Sequence, residues 1–189
     1  MERSGIKITG SPSINSMYRD KMLDRLNSLR CDALLCDVFI TAQCHEFHAH
    51  RAVLAASSDY FKALFTTAMV EKNTDRINLD VSAFIVEELL TFLYTGKTAL
   101  RDDNVKELLI AADYLVLDEL KSKCVDYLTS VLSFDNCIEV LSLSTHCNCP
   151  ILREKVHSYI LKDFHTIMRH FEFTLMGVDD LEWFVCSER

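Results

Sequence analysis

Apolar positions near the start of the chain repeat with the period of a helix. Steps of four, four and three residues separate Tyr18, Met22, Leu26 and Leu29, which predicts one apolar stripe on an amphipathic helix. The preceding residues 1–16 are polar and have no sustained period, so we expect a flexible leader there. The stripe needs an apolar surface to lie against.

The pattern then changes to the period of two that is typical of strands. Asp37–Ala42 (DVFITA) is rich in β-branched and aromatic residues, and Glu46–His48 can pair back onto it through a short connection. A further short strand is predicted at Arg76–Leu79 (RINL), after a polar surface loop. The sheet is therefore expected to be small and to contain non-consecutive strands.

Most of the remaining chain has a helical period. Helices are predicted at Ala49–Ala56, Asp59–Phe65, Ser82–Tyr94, Asn104–Val116 and Glu119–Leu132. Gly96 follows the third of these and suits the left-handed residue that ends a helix. The chain has four Gly and two Pro, a composition that supplies few tight turns, so we predict a mostly helical α+β fold.

A second helical unit is predicted from Ser133 to the end of the chain. Asn136 and Glu139 have the spacing of a capping box, and Pro150 restarts the chain for another helix. An aromatic-rich stretch follows up to Trp183, with little sequence after it to cover an apolar face. We expect stacked helix pairs in a unit that is incomplete.

Charge and composition exclude several classes of function. The chain has 189 residues, a net charge of -8 and a pI near 5.3, whereas nucleic-acid binding needs a basic face. A run of about 18 apolar residues and a hydrophobic signal core are both missing, so we expect neither secretion nor a membrane span. Catalytic motifs such as GxSxG, a P-loop or HExxH are also missing, and we expect no enzyme and no small-molecule substrate.

Two histidine and cysteine clusters are candidate metal sites. One comprises Cys44, His45, His48 and His50, and the other is the HCNC run of residues 146–149. The eight cysteines include no CxxC pair, strand side chains of the first cluster alternate between faces, and the second cluster lacks a fourth ligand, so ordinary structural roles are favoured. We expect reduced thiols, no metal and no cofactor.

Four segments, in this order, together resemble the BTB/POZ domain: Cys36–Ile40 (CDVFI), Phe47–Ala56 (FHAHRAVLAA), Ser57–Phe65 (SSDYFKALF) and Phe92–Gly96 (FLYTG). The resemblance covers residues 17–132. The continuation, residues 133–189, is similar to the start of the BACK domain of kelch-like proteins. The chain is thus similar to the front of a kelch-like adaptor, which implies a location in the cytoplasm and also in the nucleus.

The resemblance implies two protein partners. In the family, the first helix packs across a twofold axis, so the stripe Tyr18, Met22, Leu26 and Leu29 would form a homodimer interface. Many members also recruit the cullin-3 scaffold of a ubiquitin ligase through a hydrophobic residue, any residue, and then Glu. This implies a cullin-binding set that consists of Asp59, Phe65, Met69, Glu71 and Tyr114.

Alternatives to the cullin-3 adaptor stay open. The kelch propeller of the family is missing from this sequence, so the chain is either a fragment or short isoform, or a dimerising competitor. Asp37 and Arg51 match a charged groove in the zinc-finger branch of the family, which implies a corepressor-recruiting domain in transcription. A purely oligomerising cytoskeletal or channel-associated domain is the third hypothesis.

Overall fold

A computed structural model describes residues 13–66, 75–162 and 177–187. The described chain divides into two compact units. The first comprises the residues up to Ser57 together with Phe61–Thr98, and the second comprises Ser58–Tyr60 together with the residues from Ala99 onward. The mostly helical α+β class predicted from the sequence is confirmed.

A small sheet lies in the first unit. Its strands are β1 (Val38–Ala42), β2 (His45–Ala49) and β3 (Arg76–Asn78), in the spatial order β2-β1-β3. β1 pairs with β2 in an antiparallel hairpin and with β3 in parallel, so a crossover connection separates β2 from β3. The predicted hairpin and the non-consecutive third strand are both confirmed.

Three helices of the described chain accompany this sheet: α1 (Ser13–Cys31), α2 (Arg51–Ser57) and α4 (Ala83–Thr95). A further helix, α3 (Asp59–Thr66), has its first two residues in the second unit. The apolar α4 is the centre of the unit, because α1, α2 and the strands β1 and β2 all contact it. Ile85, Val86, Leu89 and Leu90 of α4 are all buried. Burial of apolar area at about 25 cal/mol per Å² is the main stabilising contribution here.

The ends of α4 follow from its sequence. Ser82 accepts a hydrogen bond from the backbone N–H of Ile85, so its side chain caps the first turn. Gly96 ends the helix with a φ of 68°, and its N–H donates to the carbonyl of Phe92 at 2.7 Å. The prediction of a left-handed glycine at this position is confirmed.

Helices form the second unit. They are α5 (Val105–Tyr114), α6 (Asp118–Ser130), α7 (Cys137–His146), α8 (Pro150–Lys162) and α9 (Val178–Ser187). We call α5 with α6 the first helix pair and α7 with α8 the second helix pair. Contacts within each pair, and between α6 and α8, hold the pairs together as a stack, as the sequence predicted.

The two helix pairs repeat one backbone pattern at an offset of 32 residues. The Asn104 side chain accepts from the N–H of Arg101 and donates to the carbonyl of Ala99, and Asn136 does the same to Ser133 and Val131. Both pairs also turn between helices through a residue of positive φ, which is 53° at Val116 and 42° at Asn148. The second unit is therefore built from tandem copies of one motif.

The hydrogen bonds of Asn136 correct one prediction. In a capping box, the Asn136 side chain would accept from the N–H of Glu139, but no such bond caps α7. Its side chain reaches backwards instead, to Ser133 and Val131. Asparagine competes well for nearby backbone groups, and the preceding loop offers two of them at once.

Two element boundaries also differ from prediction. α1 begins at Ser13, inside the segment expected to be a leader, because a serine after a proline is itself a helix-start signal. β2 continues to Ala49, where a helix was expected, and α2 begins at Arg51. Ala49 pairs with Val38 in the sheet, so tertiary pairing outweighs the helical period of that segment.

In the described residues, no helix has the length and hydropathy to cross a membrane.

Candidate protein-interaction surfaces

The proposed dimer stripe is partly exposed in the first unit. Tyr18 is 69% exposed and Met22 is 50% exposed, whereas Leu26 and Leu29 are half-buried. Met17, which was not among the predicted stripe residues, is 74% exposed and extends the apolar surface. Its position just before Tyr18 was the available signal. The stripe therefore turns from outward-facing at the start of α1 to inward-facing near its end.

An ion pair fixes α1 to the rest of the first unit. The guanidinium of Arg30 is buried and lies 2.8 Å from a carboxylate oxygen of Glu87 on α4. The same guanidinium lies 5.6 Å from the ring centre of Tyr94. Burial of a charge is costly without a partner, and these contacts provide one. The exposed stripe is thus presented on an anchored helix.

Tyr94 and His50 form a buried hydrogen-bonded hub below this surface. The Tyr94 hydroxyl accepts from the backbone N–H of His50 at 2.8 Å and lies 2.8 Å from Nδ1 of the same residue. Nε2 of His50 lies 3.0 Å from the carbonyl of Leu34. Burial raises the pKa of Tyr94 to about 12, so this hydroxyl stays protonated. The hub is structural, as expected for His50.

Asp37 and Arg51, the predicted charged groove, contact one another through the backbone. A carboxylate oxygen of Asp37 accepts from the N–H of Arg51 at 2.7 Å, and Nε of Arg51 donates to the carbonyl of Asp37. The Asp37 side chain is exposed. Asp37 lies just before β1, and its carboxylate caps α2 from outside that helix by accepting from the N–H of Arg51, the first residue of α2.

Arg51 also contacts Phe65, one of the predicted cullin-binding residues. Its guanidinium carbon lies 5.0 Å from the ring centre of Phe65, a cation–π distance. Phe65 is half-buried and stacks on the buried Phe61, with ring centres 6.1 Å apart. Two positions predicted for different partners therefore share one surface of the first unit.

Asp59 and Tyr114 lie in the second unit, where a third residue joins them. Tyr114 is 60% exposed at the end of α5, and Asp59 is exposed at the start of α3. The hydroxyls of Tyr60 and Tyr114 are 3.2 Å apart, with ring centres at 5.2 Å. Tyr60 was not among the predicted site residues, although it stands directly after Asp59. We call Asp59, Tyr60 and Tyr114 the tyrosine surface.

A buried hydrogen bond fixes the tyrosine surface from below. The Ser58 hydroxyl, next to Asp59 in the chain, donates to the carbonyl of Leu115 at 2.7 Å. The start of α3 is thereby joined to the end of α5, so the two tyrosines are held in a defined geometry. Met69 and Glu71, the central residues of the predicted cullin-binding triplet, lie outside the described residues.

The two candidate metal clusters divide between exposed and buried side chains. His45 and His48 are exposed on β2, whereas His50 belongs to the buried hub. Cys147 and Cys149 are buried, and burial raises the pKa of the Cys147 thiol to about 11. In the ranges that the structure describes, no group of three or more His, Cys, Asp or Glu is placed to hold a metal ion.

Comparisons with known proteins agree with this architecture. The model of the BTB/POZ domain matches residues 26–132, and the model of BACK, described as BTB And C-terminal Kelch, matches residues 137–189. The chain is 33% identical over 178 residues to Kelch-like protein 3 of Mus musculus and 32% identical to Kelch-like protein 2 of Homo sapiens. These matches cover 94% of this chain and 30% of each relative.

A solved structure is also similar. The BTB domain of zebrafish PATZ1 aligns with a TM-score of 0.55 and 29% identity, over 66% of this chain and 99% of that one. Fold and relatives together support a protein-interaction module. The chain belongs to the BTB/POZ domain family, and it resembles the BTB–BACK part of kelch-like proteins.

Proposed function

We propose that the chain is a homodimeric adaptor component of a cullin-3 ubiquitin ligase, located in the cytoplasm and also in the nucleus. The tyrosine surface is the observation that carries this proposal. Tyr114 was assigned to cullin binding by the family resemblance, and it is 60% exposed and paired with Tyr60. An exposed, pre-positioned tyrosine is typical of a residue that dominates binding energy. The adaptor performs no chemistry in this mechanism and brings a bound protein close to the ligase.

Charge and anchoring support the same role. Asp59 provides an exposed carboxylate next to Tyr60 in the chain, and charges at the rim of an interface favour the correct partner. The Ser58–Leu115 hydrogen bond of 2.7 Å keeps the surface ordered before binding. Little conformational freedom then remains to be lost when the partner docks.

The direct experiment is a titration of the chain with the N-terminal region of cullin-3, with light scattering for stoichiometry. We expect a two-to-two complex of sub-micromolar affinity, which is about 8 kcal/mol or more per site. Tyr114→Ala should weaken binding by about tenfold or more, as truncation of a central aromatic residue does. His146→Ala is the matched control, because His146 occupies the equivalent exposed position on α7.

The predicted triplet has its own test. Met69→Ala combined with Glu71→Ala should abolish most of the binding if the triplet docks as the resemblance implies. Unchanged affinity of that double variant would contradict the site assignment, and a dimer that ignores cullin-3 would contradict the function. Met22→Asp should produce monomers, because a charge then faces the twofold interface.

Corepressor recruitment through Asp37 and Arg51 is the second candidate function. The supporting observation is the half-exposed Arg51, whose guanidinium lies over Phe65 beside the exposed Asp37. Such a surface offers an anion-binding group and an apolar ring to a peptide. Binding of a corepressor peptide that Arg51→Ala removes, with no cullin-3 binding, would favour this function over the first.

A further inference from the structure

All six tyrosines of the chain lie in the residues that the structure describes, and two of them contact each other. The ring centres of Tyr60 and Tyr114 are 5.2 Å apart, with the ring planes tilted by 47°, and the hydroxyl oxygens are 3.2 Å apart. Tyr114 is 60% exposed and Tyr60 is half-buried. The two phenols therefore form a close pair that a small reagent in the solvent can reach.

The other four tyrosines have different surroundings. The hydroxyl of Tyr94 is buried in the hub, and that of Tyr127 donates to Asp102 at 2.9 Å. The ring of Tyr159 contacts a phenylalanine ring, with centres 5.9 Å apart, and Tyr18 is exposed on α1. Among the described residues, only one pair thus brings two phenol rings together.

The backbone holds this pair in place. Tyr60 lies in the first turn of α3, and Tyr114 is the last residue of α5. The buried hydroxyl of Ser58 donates to the carbonyl of Leu115 at 2.7 Å, so a bond joins the two segments within two residues of each tyrosine. Groups held at contact distance react much faster than the same groups free in solution, because the entropy of bringing them together has already been lost. A reaction that joins these two rings is therefore favoured over one that joins two chains.

The geometry of the pair also selects the atoms that would react. The hydroxyl oxygens are closer together than the ring centres, so the two rings converge at their hydroxyl ends. When a one-electron oxidant converts a phenol to a phenoxyl radical, the unpaired electron is shared with the ring carbons beside the oxygen. Those carbons lie at the ends of the rings that meet.

We infer that Tyr60 and Tyr114 are a site of oxidative cross-linking, at which a peroxidase-type oxidant joins the two rings by a carbon–carbon bond. Each phenol loses one electron and one proton, and the two radicals couple through a carbon beside each oxygen. The hydrogen on each coupled carbon then moves to the oxygen as a proton, which restores both aromatic rings and both hydroxyls. The two electrons and two protons lost reduce one hydrogen peroxide to two waters. The bond needs only contacts within this chain, so it does not depend on the proposed function.

The test treats the full chain, at low concentration, with hydrogen peroxide and a haem peroxidase, and follows the product by mass spectrometry. We expect the chain to lose two hydrogens without forming a covalent dimer, and a tryptic digest to contain a species that joins residues 52–62 to residues 107–121. Tyr60→Phe and Tyr114→Phe should each abolish this species, because phenylalanine has no hydroxyl hydrogen to lose. Tyr127→Phe is the matched control and should leave the yield unchanged, since Tyr127 is half-buried like Tyr60 but its hydroxyl bonds a carboxylate.

Stability provides a second readout. The bond joins residues that are 54 positions apart, so it restricts the unfolded chain and should raise the melting temperature by about 8 °C or more. Both phenylalanine variants keep the ring contact, and their melting temperatures before oxidation show that they fold. An internal cross-link that persists in either variant, or cross-linking that occurs only between chains, would overturn the inference.

Discussion

The first and second helix pairs share one pattern of backbone bonds and turns and have different surfaces. Each begins at an asparagine that bonds the preceding loop, turns through a left-handed residue and places a cation on its second helix. The exposed face of α5 has Ile110 and Tyr114, whereas the equivalent positions of α7 have Ser142 and His146. A few polar bonds therefore maintain the shared framework, and the exposed positions are free to differ between copies.

The cation of each pair shows how the stack is connected. Lys121 of α6 donates to Asp113 in its own pair and to the carbonyl of Cys147 in the next. The equivalent Arg153 of α8 donates to Asp180 of α9 through Nε and Nη2. Each second helix thus bonds to the segment that follows it, which limits how far neighbouring copies can move apart.

Substitution of the asparagine at the start of each helix pair should give the largest difference in unfolding free energy between the two pairs. Asn104 is fully buried and satisfies two backbone groups, so Asn104→Ala should cost about 2–3 kcal/mol of unfolding free energy. Asn136 is half-buried, and water can replace its bonds, so Asn136→Ala should cost about 1 kcal/mol. Urea denaturation of the two variants measures both. Equal losses would show that burial does not separate the two copies.

Substitution of the two cations should produce a smaller difference in unfolding free energy, and here the second helix pair should lose more than the first. Arg153→Met leaves the buried carboxylate of Asp180 without its closest cation, and we expect a loss of about 2 kcal/mol. Lys121→Met should cost about 1 kcal/mol, because its partner Asp113 is more exposed and regains water. Thermal unfolding in low and high salt checks the ranking. A larger loss for Lys121→Met would place the main connection of the stack in the first pair.

Sequence periodicity predicted the framework well and the asparagines poorly. The hairpin, the third strand and the helices from Arg51 to Lys162 follow from local apolar patterns, which burial in the folded chain reinforces. The capping role expected of Asn136 was wrong, because the same side chain can bond forwards or backwards and the loop decides which. The offset of 32 residues was also missed, since the two copies share few side chains.

The choice of residues for the candidate surface came from the family resemblance and stays a prediction. That resemblance chose Asp59 and Tyr114, which are exposed in the same unit, but it did not include Tyr60. The pairing of the two tyrosines joins residues far apart in the chain, so no local pattern could predict it. The positive φ of Val116 was not predicted either, because it contradicts the local propensity of valine and is visible only in the folded chain. The dimer stripe and the cullin triplet stay predictions.

The smallest expected difference between the two helix pairs concerns His157, and it is a difference in how the unfolding free energy depends on pH. It is buried on α8 where the first pair has Val125, and its Nε2 lies 3.2 Å from Asp180. Burial lowers the pKa of His157 below the ordinary 6.5, and Asp180 opposes this effect without cancelling it. As the pH falls through 6.5, the unfolded chain takes up the proton first, so the folded state loses stability.

His157→Val gives the second pair the side chain of the first and should remove this contribution. The variant loses the contacts of His157 with Asp180 and Trp183 at every pH, so its stability is expected to be lower throughout. The measurement is therefore the slope of unfolding free energy between about pH 7.5 and about pH 5.5, from urea denaturation. The remaining histidines are common to both proteins, and their contributions cancel in the comparison. A shallower slope in His157→Val is expected because valine binds no proton. Parallel slopes would mean that His157 takes up its proton equally well in the folded and unfolded chains, and that burial in the second pair carries no electrostatic cost that the first pair avoids.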